Sequence, residues 1–94
     1  MLRIGSDIGE NQHIVCPVCN DDYVHHESRS AVIDGDDSYK ASPHAKGDVI
    51  AIPMYCENGG HQFSVFFGFH KGYTYTWCVV TGNDPDYWTK ITGA

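Results

Sequence analysis

A small, mainly β fold follows from three features of this 94-residue chain. Apolar residues never keep helical spacing for three turns behind a capping signal. Alternation of period two recurs instead. The segments in between are rich in Gly, Asp, Asn and Pro, which interrupt ladders and form turns. The expected architecture is two hairpins that each carry a Cys- or His-bearing turn, the second leading into a three-stranded antiparallel meander. One domain spans residues 1–94, with its core at about 13–80. A chain this short buries a limited core, so an added staple would help.

In chain order, "HIVC" (13–16) is a brief first strand, and it leads into a turn stiffened by Pro17. "YVHHESRSAVI" (23–33) alternates less cleanly and reads as the rest of a short hairpin. "DGDDSYKASPHAKGD" (34–48) has the composition of an exposed, mobile loop. Its Asp34, Asp36 and Asp37 are spaced faintly like a calcium loop, but the distal glutamate is missing, so they read as a solvated turn.

"VIAIPMYC" (49–56) is a strand, and Pro53, with no amide hydrogen for a ladder, points to an edge position or a bulge. "HQFSVFFGF" puts Phe63, Val65, Phe67 and Phe69 on one face, expected to be the core face, and Gln62, Ser64, Phe66 and Gly68 on the other. "HKG" is a turn with Gly72 placed for a positive φ. "YTYTWCVV" sets Tyr73, Tyr75, Trp77 and Val79 against Thr74, Thr76, Cys78 and Val80. The aromatic stripe reads as core or sheet cover, because bases stack on such stripes where basic residues interleave them and only Lys71 is close. In the C-terminal tail (83–94) a turn is expected at Asn83 to Asp86. Trp88 and Ile91 can fold back on the sheet, and the last residues have nothing to hold them.

Six basic residues against twelve acidic ones give a formal charge of −6, which argues against a phosphate-tracking surface. The N-terminal stretch has no apolar run long enough for a signal peptide, and no later segment suits a bilayer span. A cytoplasmic location is the simplest expectation. In a reducing cytosol cysteines persist as thiols, so Cys16, Cys19, Cys56 and Cys78 need another explanation than disulfides.

Their spacing supplies one. Cys16 and Cys19 form a C-x2-C pair, 36 residues intervene, and Cys56 with His61 forms C-x4-H. Tetrahedral zinc takes four soft or borderline donors, and two tight turns facing one another deliver two each. Gly59 and Gly60 allow the second turn to bend sharply. The predicted metal ligands are therefore Cys16, Cys19, Cys56 and His61. His70 lies about 30 Å along a strand from His61, and His25 and His26 lie about 20 Å past Cys19 if extended, on opposite faces. His13, about 10 Å from Cys16, is the best substitute for His61 as fourth ligand. Cys78, beside Val79 and Val80, reads as a small buried residue. A redox role for the C-x2-C pair would want a helix after it, and none is predicted.

Two knuckles on β-hairpins, the second entering a three-stranded sheet, resemble a zinc ribbon. The runs "CPVCNDDYVHH" and "MYCENGGHQFSVFFGFHKGYTYTW", within about residues 14–78, are also similar to small uncharacterised zinc-ribbon proteins of bacteria and phages. The resemblance implies a zinc site without naming an activity. A typical ribbon has C-x2-C twice, about 15 to 20 residues between the pairs, and often glycine after the second cysteine. Here the gap is longer, Asn20 stands in place of glycine, and a histidine completes the set.

The functional expectation is a zinc-stabilised, non-enzymatic protein-interaction module, with a nucleic-acid-binding zinc ribbon as the alternative. The candidate surfaces are the outer face of the meander around Thr74, Thr76 and Phe66, and the acidic loop from Asp34 to Asp37. For the alternative, Lys40, Lys46 and Lys71 are the available cations. Catalytic zinc keeps a coordination position open, so a site with two or three thiolates is expected to be structural rather than enzymatic.

Overall fold

The computed structural model describes residues 4–8, 11–42, 45–82 and 86–92. The fold is mainly β. Strands β1 (Ile4–Ile8) and β2 (Asn11–Ile14) form a two-stranded antiparallel sheet. Strands β3 (Val24–His26), β4 (Ala31–Ile33), β5 (Val49–Cys56), β6 (Gln62–His70) and β7 (Tyr73–Val80) form a second sheet, ordered β3-β5-β6-β7 with β4 also on β5. The chain ends in a short helix, α1 (Tyr87–Thr92). Among the described residues no helix is long and apolar enough to cross a membrane.

The meander β5-β6-β7 stands as the alternation predicts, and Gly72 takes φ 83° in the tight β6–β7 turn. The N-terminal half differs. Its first strand pairs with β1 rather than with anything after the first Cys turn. That turn therefore bridges two sheets instead of tipping a hairpin, whereas the second turn does cap the β5–β6 hairpin.

Residues 23–33 do not complete a hairpin with that first strand either. β3 and β4 both run antiparallel to β5 along one flank, and the register slips by two residues between His26↔Met54 and Ala31↔Ala51. They are one strand interrupted by a bulge. Pro53 explains where it breaks. Its carbonyl accepts from Glu27 N–H (2.9 Å), and a residue's two backbone groups point the same way in an antiparallel ladder. Its missing N–H thus faces this flank, where the chain bulges away.

The core face was only half legible. Phe63 and Val65 are buried, but Phe69 is 41% exposed, while Phe66 on the other face is fully buried. Both faces are covered, by different segments. Over the Phe66 face, Ile91 and Ala41 close on Ile33, Val49 and Ala51, with Trp77, Tyr87 and Trp88 at the margin. Phe66 stacks on Trp77 at 5.2 Å. Over the Phe63 face, Cys16 and Ile14 close on Val65 and Cys56. That cover stops before Phe69.

The 34–48 loop is exposed at Asp34, Asp36 and Asp37 but not throughout. Ser38 and Ala41 are buried around a 3-10 turn, Ser38–Lys40. Ser38 Oγ donates to Gly35 O (3.0 Å), and Gly35 N–H donates to Asp48 Oδ1 (2.9 Å). Trp88 and Ile91 fold back as expected, the former under the Arg29 guanidinium at 5.0 Å. The turn read at Asn83 to Asp86 lies outside the described residues except for Asp86.

Candidate metal centre

The structure gathers Cys16, Cys19, Cys56 and His61, and their donor atoms all lie within 4.8 Å of one another. Cys19 Sγ is 3.9 Å from Cys56 Sγ. His61 Nδ1 is 3.2 Å from Cys56 Sγ and 3.9 Å from Cys16 Sγ. A tetrahedron with metal–sulfur bonds of about 2.3 Å has edges of about 3.8 Å, so these separations suit one small ion. They are too long for a disulfide, whose sulfurs stand about 2.05 Å apart. Cys16 and Cys56 are fully buried, Cys19 is exposed, and the site sits at the end of the β5–β6 hairpin.

The two turns are built alike. In the first, Asn20 N–H donates to Cys16 O (2.9 Å) and Cys16 N–H to Asp21 O (3.0 Å). In the second, Gly60 N–H donates to Cys56 O and Cys56 N–H to His61 O, both at 3.0 Å. The fifth residue of each turn is left-handed, Asn20 at φ 62° and Gly60 at φ 65°. Asparagine tolerates this region better than other side chains, which is why the missing glycine after Cys19 does no harm. Amides also point at the sulfurs: Val18 N–H at Cys16 Sγ (3.4 Å) and His61 N–H at Cys56 Sγ (3.3 Å).

The fourth residue of each turn is where they differ. Cys19 occupies it in the first turn and Gly59 in the second. A Cβ added at Gly59 would stand 2.5 Å from His61 Cε1 and 2.6 Å from its Nδ1. The imidazole, reaching back from position 61, thus fills the space that a side chain at 59 would take. Gly59 makes the C-x4-H spacing work, a role that the sequence hinted at only as flexibility.

A second residue was missed altogether. The Asp21 carboxylate accepts from Tyr23 N–H (3.0 Å) in its own turn and from Asn58 N–H (3.1 Å) in the other. These donors hold its carboxyl below the usual carboxylate range, Tyr23 first and Asn58 second. Glu57 N–H adds a further bond to Tyr23 O (2.8 Å). The two turns are clamped together with no metal in the clamp. An acidic residue soon after a knuckle carries no motif, so nothing in the spacing marks it.

The Cys56 thiol is held below its usual range. Burial raises it, but the backbone N–H of His61, the His61 ring and the N–H of Gly59 outweigh that and bring it down to about 7. Cys19 moves the other way. The Asp21 backbone N–H lowers it, yet burial and the neighbouring Cys16 and Cys56 together raise it.

The rival ligands lie outside the cluster. His13 Nε2 pairs with Asp22 Oδ1 at 2.8 Å, and His25 Nε2 meets Glu57 Oε1 at 3.3 Å while its ring stacks on Tyr55. His26 Nδ1 donates to Glu27 O (2.8 Å), and His70 ends β6 at the opposite end of the hairpin. Cys78 is half-buried against the Phe63 cluster, outside the donor set, and burial pushes its thiol up. No protein-family model, curated protein or solved structure matches this chain.

Proposed function

We propose that Cys16, Cys19, Cys56 and His61 hold one structural zinc ion, and that the chain is a zinc-stabilised, non-enzymatic protein-interaction module of the zinc-ribbon type. The observation that carries this reading is the closed set of four protein donors, three of them sulfur. Such a set suits zinc over harder cations. Four protein ligands also leave no position for an activated water, which is why a scaffold role is preferred to hydrolysis. When bound, the ion would tie the turn after β2 to the β5–β6 hairpin. His61 must then present an unprotonated Nδ1, with its proton on Nε2.

Protein rather than nucleic acid is the favoured partner, because a chain of charge −6 has little means of releasing counterions from a duplex. One observation favours the nucleic-acid reading as second. Tyr73 and Tyr75 are exposed rather than core, and their rings stack at 6.5 Å. Lys46 and His70 share a concavity with Tyr75 and Trp77. The candidate surface also needs redrawing: Phe66 pairs with the half-buried Trp77, and it is Phe67 and Phe69 that lie beside Thr76 and Thr74.

The test is elemental analysis of protein purified without added metal, followed by chelation. One zinc per chain and unfolding on its removal is the expected result. An intact, metal-free fold would overturn the reading. Retention of single-stranded nucleic acid at about 200 mM salt would favour the second reading.

A further inference from the structure

The two edges of the main sheet are treated differently. On the β3/β4 side the strands are three residues each, a bulge interrupts them, and His25, His26, Glu27 and Arg29 line the interruption. Short strands, bulges and charge are the devices by which sheets avoid edge-to-edge pairing. β7 has none of them. It runs eight residues without a charge or a proline, in unbroken register with β6 from Phe63↔Val80 to His70↔Tyr73.

The ladder's phase says which backbone groups are available. Thr81 N–H donates to Gln62 O at 2.9 Å, so the odd-numbered residues turn their N–H and C=O toward β6. The N–H and C=O groups of Thr74, Thr76, Cys78 and Val80 point out from the edge. Among the described residues no backbone group bonds to them. Among the described residues no strand lies beyond β7, and Tyr73 is 69% exposed and Tyr75 46%.

We propose that β7 pairs antiparallel with β7 of a second copy of this chain, joining two sheets across a twofold axis near Thr76. The strand is self-complementary in that arrangement. On one face Thr76 meets its own copy and Thr74 meets Cys78. On the other, Tyr75 meets Trp77 and Tyr73 meets Val79. Threonine pairs and aromatic pairs are favourable cross-strand neighbours, whereas like charges placed opposite are not. With no charge between Tyr73 and Val80, the seam avoids the repulsion that a −6 chain would otherwise meet. The concavity of about 480 Å3 beside Trp77, with Gly68 and Ala45 in its lining, lies on the Tyr75 face and gives the partner's aromatic side chains room. This inference supplies a partner to the interaction reading and rests on it. Its failure would leave the metal site untouched.

The test is the mass of the zinc-loaded chain by sedimentation equilibrium from micromolar to millimolar concentration, with amide exchange read residue by residue. A monomer–dimer equilibrium is expected. The amides of Thr74, Thr76 and Cys78 should gain protection only at high concentration, while those of Tyr75, Trp77 and Val79 stay protected throughout. Thr76→Pro deletes one outward N–H without touching the β6 ladder. Thr76→Lys adds the charge that protected edges carry, and it serves if the proline variant fails to fold. Each should weaken dimerisation by about tenfold or more with zinc content unchanged. A chain that stays monomeric, a dimer that survives both substitutions, or protection arising at other amides would overturn the proposal. A monomer that instead pairs β7 with a foreign strand would overturn self-pairing and keep the interaction reading.

Discussion

Adjacent glycines at 59 and 60 should respond to the same alanine substitution in opposite ways. At Gly59 the backbone is ordinary, but a Cβ would stand 2.5 Å from the His61 ring, about 1 Å inside normal contact. The imidazole would have to move by about that much, and metal–ligand distances tolerate only about 0.2 Å. Gly59→Ala therefore removes the fourth ligand without touching it. Structural zinc contributes about 10 to 16 kcal/mol in small modules, so one ligand of four is worth about 3 kcal/mol, or about 100-fold in affinity. At Gly60 an added Cβ meets nothing within 4 Å, but φ is +65°. Gly60→Ala should cost about 1 to 2 kcal/mol of backbone strain and retain the metal. Competition with a chromophoric chelator measures the affinity, and cobalt(II) spectra report the number of thiolates. A third variant completes the reasoning: Gly59→Cys combined with His61→Ser places a thiol where Cys19 sits in the first turn, and should recover tight binding with a four-thiolate spectrum. If Gly59→Ala binds as the parent does, the account of the second turn is wrong.

Other outcomes follow from the same geometry. Cys56→Ser should release metal and unfold the chain, whereas Cys78→Ala should keep one metal ion and cost about 1 kcal/mol in denaturant melts; metal loss from the latter would overturn the ligand assignment. Asn20→Gly should be neutral or slightly stabilising, and Asn20→Val should destabilise by about 1 to 2 kcal/mol, because a β-branched residue resists left-handed φ. Asp21→Ala should lower both the melting temperature and metal affinity, since it frees the Tyr23 and Asn58 amides. Because the Asp21 carboxyl is depressed, its contribution is present above the normal carboxylate range and is lost as pH falls through the depressed value. The metal-free wild type and variant should converge there. Metal affinity should fall more steeply below about 7, where Cys56 begins to hold a proton that the ion must displace, adding about tenfold per pH unit to the slope. An unchanged slope across that range would refute the Cys56 assignment.

Three things were legible in the chain by itself: the meander, the four donors and the tight turns. Each is written in residues a few positions apart. Period-two alternation depends on neighbours in the strand, C-x2-C and C-x4-H place two donors on one turn, and Gly72 needs only local φ. What lay outside local sequence was decided by pairings across dozens of residues. Residues 23–33 could pair back across the first Cys turn or lie along β5, and the missing N–H of Pro53 marks where that flank breaks. Either face of β6 is apolar enough to be core. Phe66 became the deeper residue because Ile91 and Ala41 arrive from distant segments, while Phe69 lies beyond the reach of the first turn. Asp21 looked like one acidic residue among twelve until the second turn brought the Asn58 amide to it. Gly59 likewise looked like slack until the His61 ring occupied its missing side chain. Turn chemistry is local and can be read along the chain; which surfaces meet is a property of the folded whole, because covering a sheet face depends on segments far apart in sequence.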